Sequence, residues 1–181
     1  MNIMIASDIH GSAHYCREMM AACVREKPDK ILLLGDLLYH GPRNNLPGEY
    51  DTKKTAEMLN SLAGKVLCVR GNCDSEVDQM MLDFPIMAEY CLLCVKDRMI
   101  FATHGHVFNT KNPPAISEGD ILLHGHTHIP AWEVFGNSNV YVNPGSVSIP
   151  KGGSQHSYIM LDDEGFTWKT LDGTEYYRLN I

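Results

Sequence analysis

The sequence has no apolar run approaching the roughly 18 residues that a membrane-crossing helix requires. It also has no basic run: 15 Lys and Arg stand against 22 Asp and Glu, a formal charge of −7. Binding to long nucleic acid or to anionic membranes draws on clustered cations, so this balance argues against both as partners. Six cysteines (Cys16, Cys23, Cys68, Cys73, Cys91, Cys94) sit mostly inside apolar, periodic segments. They fit reduced core thiols of a cytoplasmic protein better than a disulfide framework. Cys91 and Cys94 form a C-x-x-C, but within the apolar stretch from Tyr90 to Val95 they read as core strand. The opening residues, Met1 to Ala6, lack the basic region of a secretory signal and lead straight into a strand and a candidate ligand. Linkers, repeats and low-complexity segments are missing too. The expectation is a single domain over residues 1–181, 44% hydrophobic, with a sizeable core.

What the chain does have is five short strings rich in metal-ligating side chains. They are Asp8-Ile9-His10, Gly35-Asp36, Gly71-Asn72-Cys73-Asp74, Thr103-His104-Gly105-His106 and Gly125-His126-Thr127-His128. Each follows an apolar run that reads as a strand. Carboxylate, imidazole and amide donors suit divalent ions, and the set lacks the thiolate quartet of a structural zinc site. Donors delivered from the ends of several strands are how an α/β sheet builds a catalytic centre. Asp8 and His10 leave one turn and can share a cleft. Asp36 is placed to bridge two ions, donating one oxygen to each. His126 and His128, two apart, face the same side of an extended segment and reach neighbouring ions.

The first half alternates strand and helix signals. Met1 to Ala6 is a short strand, and Ser12 caps a helix with the stripe Cys16, Met19, Met20, Cys23, Val24 before Pro28. Ile31 to Leu34 is a buried parallel-type run. A loop from Tyr39 to Tyr50 follows, then a helical pattern from Asp51 through Leu62, then a strand from Lys65 to Val69. The second half reads as closely spaced strands at Ile86–Val95, Arg98–Thr103, Ile121–Leu123, Trp132–Phe135, Val140–Asn143, Tyr158–Leu161 and Phe166–Lys169. Such strands form a second, mixed or antiparallel sheet packed on the first. Trp132 to Phe135 is an apolar edge that either joins a partner chain, making a homo-oligomer, or is core.

The order and spacing of these motifs resemble the calcineurin-like metallophosphoesterases, and within them the small bacterial phosphodiesterases of the YfcE type. The resemblance covers nearly the whole chain. It implies an α/β fold, a four-layer α/β/β/α sandwich of two mixed sheets, with two divalent ions. By position, Asp8, His10 and His128 hold the first ion, Asn72, His104 and His126 the second, and Asp36 bridges them. It implies manganese as the activating ion, with nickel, cobalt, iron or zinc as possible occupants. The reaction expected is hydrolysis of a small phosphodiester by a metal-activated water, with Asp36, Asn72 and His104 in the catalytic machinery. Cys73, Arg43, His40 and His106 adjoin the ligand loops as candidate substrate contacts, whereas His14 and His156 read as solvated. A scaffold role without catalysis, or phosphomonoesterase or nucleotide pyrophosphatase activity on the same centre, are the alternatives.

Two positions depart from the wider superfamily. Cys73 stands where many members carry a histidine that assists the leaving group; a thiol is a poorer acid near neutrality. Tyr39 stands where relatives often carry an acidic residue, which leaves the support of Asp36 open, and the loop from Tyr39 to Asn45 reads instead as a substrate rim with Arg43 as a phosphate or base contact.

Overall fold

In the computed structural model, which describes residues 1–181, apolar β-rich runs pair into two sheets facing each other. The first has six strands in the order β11 (Glu175–Asn180), β10 (Gly165–Thr170), β9 (Ser157–Leu161), β1 (Ile3–Ala6), β2 (Lys30–Leu33) and β3 (Val66–Cys68). The second has five, in the order β4 (Tyr90–Val95), β5 (Arg98–Thr103), β6 (Ile121–His124), β8 (Asn139–Asn143) and β7 (Ala131–Phe135). Three strands run parallel in each: β1, β2 and β3 in one, and β5, β6 and β8 in the other. Their side chains explain why. Parallel strands are buried on both faces and therefore read as continuous apolar runs, as in Ile31-Leu32-Leu33 and Ile121-Leu122-Leu123.

Alternate side chains divide between two cores. Met4, Ala6, Ile31 and Leu33 point outward from the first sheet against α1 (Ala13–Glu26) and α2 (Thr52–Asn60). Ile3, Ile5, Leu32 and Leu34 point inward, where they meet Ile100, Ala102, Ile121 and Leu123 of the second sheet. Ser12 caps α1 by accepting from the Tyr15 N–H, and Asp51 caps α2 by accepting from Lys54. A third, six-residue helix, α3 (Glu76–Met81), is closed by a capping box between Ser75 and Asp78.

The structure corrects several expectations from sequence. β9 and β10 do not join the second sheet; together with β11, which was not expected from sequence, they extend the first, with β9 antiparallel to β1. Ile86 to Glu89 is not strand: Ile86 packs into the helical core, and pairing begins at Tyr90. Cys91 and Cys94 lie on an edge strand, with Cys94 exposed. β7 is the opposite edge; Trp132 packs toward the inter-sheet core while Val134 is exposed. The expected sandwich of two mixed sheets flanked by helices is present, and over the second sheet its outer layer is a loop. Residues 104–120 lie there, with Phe108 edge-on to Phe101 at 5.6 Å and the Ser117 carbonyl accepting from Asn139. No helix is long and apolar enough to cross a membrane.

Candidate metal centre

Parallel strands place their carboxyl ends on one side, so the loops after β1, β2, β3, β5 and β6 converge on the crevice between the sheets. Backbone bonds zip the first two loops together: Asp8 N–H donates to Gly35 O, and His10 N–H to Asp36 O. Five of the seven candidate ligands have left-handed backbone: Asp8, His10, Asp36, His126 and His128, with φ between 50° and 65°. That conformation costs an L-residue about 1–2 kcal/mol, and only three other non-glycine residues adopt it in this chain. Strain concentrated on one set of side chains, and sustained by the surrounding structure, marks a functional constellation. It also changes how the last motif works. His126 and His128 do not lie along an extended strand; each sits at its own left-handed turn, and the two rings diverge to different neighbours.

Two clusters result. In the first, His10 Nε2 lies 3.3 Å from His128 Nε2, and Asp8 Oδ1 is 3.6 Å from the former and 3.4 Å from the latter. In the second, His104 Nε2 is 3.1 Å from Asn72 Oδ1 and 3.2 Å from His126 Nδ1. Asp36 Oδ2 stands between them, 3.7 Å from His10 Nε2 and 3.4 Å from His104 Nε2. A single oxygen therefore faces both clusters. The other, Oδ1, is taken by the Cys73 N–H at 2.8 Å, so the expectation of one oxygen for each ion is revised.

The tautomers settle what the clusters need. The outer nitrogens of three histidines sit on backbone carbonyls: His10 Nδ1 on Tyr39 O at 2.8 Å, His104 Nδ1 on Leu34 O at 2.7 Å, His128 Nδ1 on Ile149 O at 2.6 Å. A carbonyl accepts, so each Nδ1 carries a proton, and in the neutral ring that a metal binds each Nε2 presents a lone pair inward. Lone pairs of His10 and His128 then face each other beside a carboxylate oxygen, Asp8 Oδ1, that is buried and has no hydrogen-bond partner. Acceptors converging without a donor repel unless a cation lies among them. Charge follows the same logic. Where no cation lies among them, protons on the imidazoles serve instead: burial opposes ionisation of Asp8, yet the neighbouring His10, His104 and His128 rings hold its carboxyl well below the usual range. Burial likewise disfavours a charged His104, but Asp36 and Asp8 raise it to about 9. Burial and the neighbouring His104 charge lower His126 to about 4. The donor set fits divalent ions.

A surrounding layer holds these ligands. Asp74, buried, accepts from the backbone N–H groups of Asp36, Leu37 and Gly71 at 2.7–2.9 Å. It supplies the carboxylate support that Tyr39 does not, while the Tyr39 backbone carbonyl orients His10. Gly71 must lack a side chain, because a methyl group there would overlap Asp36 Oδ1; at Gly125 it would overlap Ser7 Oγ. Residues after β8 form a strap. Asn143 Nδ2 donates to Gly125 O and Thr127 Oγ1, Ser146 and Ser148 donate to Asp8 O, and Ile149 O orients His128. Asp74 lay inside a recognised string but was given no role of its own; for the strap there was no sequence signal, since its work is done by backbone and small polar groups.

The candidate substrate contacts divide. Arg43 and Cys73 line a cavity of about 430 Å³ above Asp36, Asn72, His126 and His128, together with Thr127 and Lys151, which the motif reading missed. Burial first, then Asp36, pushes the Cys73 thiol up to about 12, so it stands as a neutral thiol. His106 lines a neighbouring cavity, its ring 5.4 Å from that of His104. His40 lines neither: its ring packs edge-on against Tyr39 and Tyr50. His156 is not simply solvated, since it stacks on Tyr15 at 3.9 Å.

Carboxylate, imidazole and amide donors gathered at the mouth of two facing sheets point to a class of metal-using hydrolase, and comparison with known proteins identifies the family. The model of the calcineurin-like phosphoesterase superfamily domain matches residues 1–165, and the chain belongs to that family; it is a hydrolase of phosphoric ester bonds. Over 164 residues it is 49% identical to phosphodiesterase YfcE of Escherichia coli K12, covering 91% of this chain and 89% of that protein. The same figures hold for YfcE of E. coli O157:H7. The solved structure of E. coli YfcE, described as a phosphoesterase, superposes with a TM-score of 0.95 at 45% identity over 100% of both chains. Vps29 of Entamoeba histolytica shares the fold alone, at TM-score 0.63 and 20% identity over 99% of both chains.

Proposed function

We propose that the protein is a phosphodiesterase working through two divalent ions, manganese being the expected pair. Asp8, His10 and His128 would hold one, Asn72, His104 and His126 the other, and Asp36 Oδ2 would touch both. The observation that carries this reading is the position of that single oxygen between two groups of inward-facing lone pairs. Two such ions would supply Lewis acidity toward the phosphoryl oxygens and lower the pKa of an attacking water toward about 7. The chain's own part is positioning. Asp74 fixes Asp36, and the Tyr39, Leu34 and Ile149 carbonyls aim three imidazoles inward. Arg43 and Lys151 offer positive charge where the substrate enters.

Cys73 favours diesters over monoesters in this reading. A neutral thiol with its pKa pushed to about 12 protonates a leaving group poorly, so substrates with good leaving groups and a single charge at phosphorus are favoured. A scaffold without catalysis is disfavoured, because every ligand position keeps a competent donor.

The test uses metal-stripped protein with Mn²⁺ restored, hydrolysing an aryl phosphodiester and the matching monoester. Diester cleavage is expected to depend on manganese and to fall by at least about a hundredfold in Asp36→Asn. Cys73→His should shift the balance toward the monoester; an unchanged ratio would remove Cys73 from the account of selectivity. Failure of folded, metal-loaded protein to cleave either ester would turn the reading toward the scaffold.

A further inference from the structure

Two cavities share Asn72. The first, of about 430 Å³, opens over Asp36 and Cys73 and is bordered by Arg43 and Lys151. Cys73 and Pro42 are its only apolar lining residues, and apart from two candidate ligand histidines it has no aromatic ring on which a base could stack. Neither Arg43 nor Lys151 enters any ion pair, although the protein carries a charge of −7. Cations left unpaired at one mouth of an acidic protein focus anions there. The second cavity, of about 300 Å³, has a different chemistry. Arg70 and Glu89 offset each other's charge there, and Val107, 51% exposed, and Phe108, edge-on to Phe101, add an apolar and aromatic side that the first cavity lacks.

A phosphodiester has two alcohol arms, and two dissimilar cavities meet at Asn72, one of the candidate metal ligands. We infer that the substrate is an asymmetric diester. One alcohol carries a further anionic group, such as a second phosphate, held between Arg43 and Lys151. The other is planar or apolar and rests on Val107 and Phe108. This rests on the phosphodiesterase reading above and deepens it. It assigns Arg43, Lys151, Val107 and Phe108 as specificity-determining residues, and it places no base in the first cavity.

Binding separates the two arms. Phenyl and methyl phosphodiesters of ethylene glycol, and of ethylene glycol monophosphate, would be titrated calorimetrically into full-length Asp36→Asn protein, which is expected not to turn them over. The added phosphate should tighten binding about fivefold or more, and that gain should vanish when Arg43→Ala and Lys151→Ala are combined. Exchanging phenyl for methyl should weaken binding by a similar factor, a difference that Val107→Asp should abolish while leaving the phosphate effect intact. KM values of the unsubstituted enzyme for the p-nitrophenyl analogues should rank in the same order. Equal affinity for all four esters, no measurable binding of any, or differences that survive the substitutions would overturn the inference. Cleavage with no such ranking removes the two-armed substrate but leaves the phosphodiesterase standing. The expected binding pattern without any cleavage by the metal-loaded enzyme does the reverse.

Discussion

At the scale of single residues, Asp74 shows how much of the centre depends on groups that touch no substrate. Its two oxygens take three backbone N–H groups from the Asp36 and Gly71 loops. Replacing it with Asn, nearly isosteric, would turn an NH₂ toward at least one of those donors and strand it. Each buried donor left unpaired costs about 1–3 kcal/mol, so Asp74→Asn is expected to lose about 3 kcal/mol in urea unfolding and to weaken manganese binding as Asp36 moves. Stability within about 0.5 kcal/mol of the parent would contradict that role. His124 is a second buried group, with its Nε2 unpartnered and its ring stacked on Tyr141 at 4.3 Å. Burial lowers its pKa from 6.5 to about 4. A histidine held neutral in the fold lets the unfolded chain bind more protons below pH 6.5. Its contribution is complete above that pH and is lost as pH falls toward 4, by about 3 kcal/mol in all. Subtracting the pH–stability curve of His124→Gln from the parent's should isolate that slope; parallel curves between pH 6.5 and 4 would refute it. All seven candidate ligand side chains could be named from the sequence, because donor chemistry is written in residue type. Their left-handed backbone was not, since Asp and His tolerate that conformation without requiring it.

At the scale of elements, the sites that matter are the connections. α1, α2 and the parallel strands followed from apolar periodicity and from the capping residues Ser12 and Asp51, and their boundaries fell within a few residues. α3 has six residues and none of them is buried, so no apolar stripe announced it. β11 alternates exposed and half-buried positions at the sheet edge and was equally silent. The strap from Asn143 to Ile149 gives the clearest prediction here. Asn143, fully buried, ties the carbonyl of Gly125 and the hydroxyls of Thr127 and Tyr141 to its own amide nitrogen. Asn143→Ala should therefore free the 125–128 turn from β8, costing about 2–3 kcal/mol and reducing manganese affinity at the His126 and His128 positions while the ends of β1 and β2 stay in place. A calorimetric manganese titration unchanged from the parent would show that the turn holds itself.

At the scale of the whole molecule, the site exists because two sheets present the carboxyl ends of three parallel strands each to the same crevice. His104, from the second sheet, bonds to the Leu34 carbonyl of the first, and His126 N–H donates to Asp8 Oδ2 at 3.0 Å. These links cross the crevice and fix one sheet against the other, so ligand geometry and sheet packing stabilise each other. Sheet membership of β9 to β11 was beyond sequence reading, because short adjacent strands look alike whether they extend the first sheet or build the second. The proposal gives two ions one shared oxygen, Asp36 Oδ2, and that is the claim on which the rest stands. Its most direct measurement is anomalous scattering at the manganese edge from crystals of the manganese-loaded protein. The account predicts two peaks, one among Asp8, His10 and His128 and one among Asn72, His104 and His126, both bordered by Asp36 Oδ2. A single peak, or a pair lying away from Asp36, would contradict it.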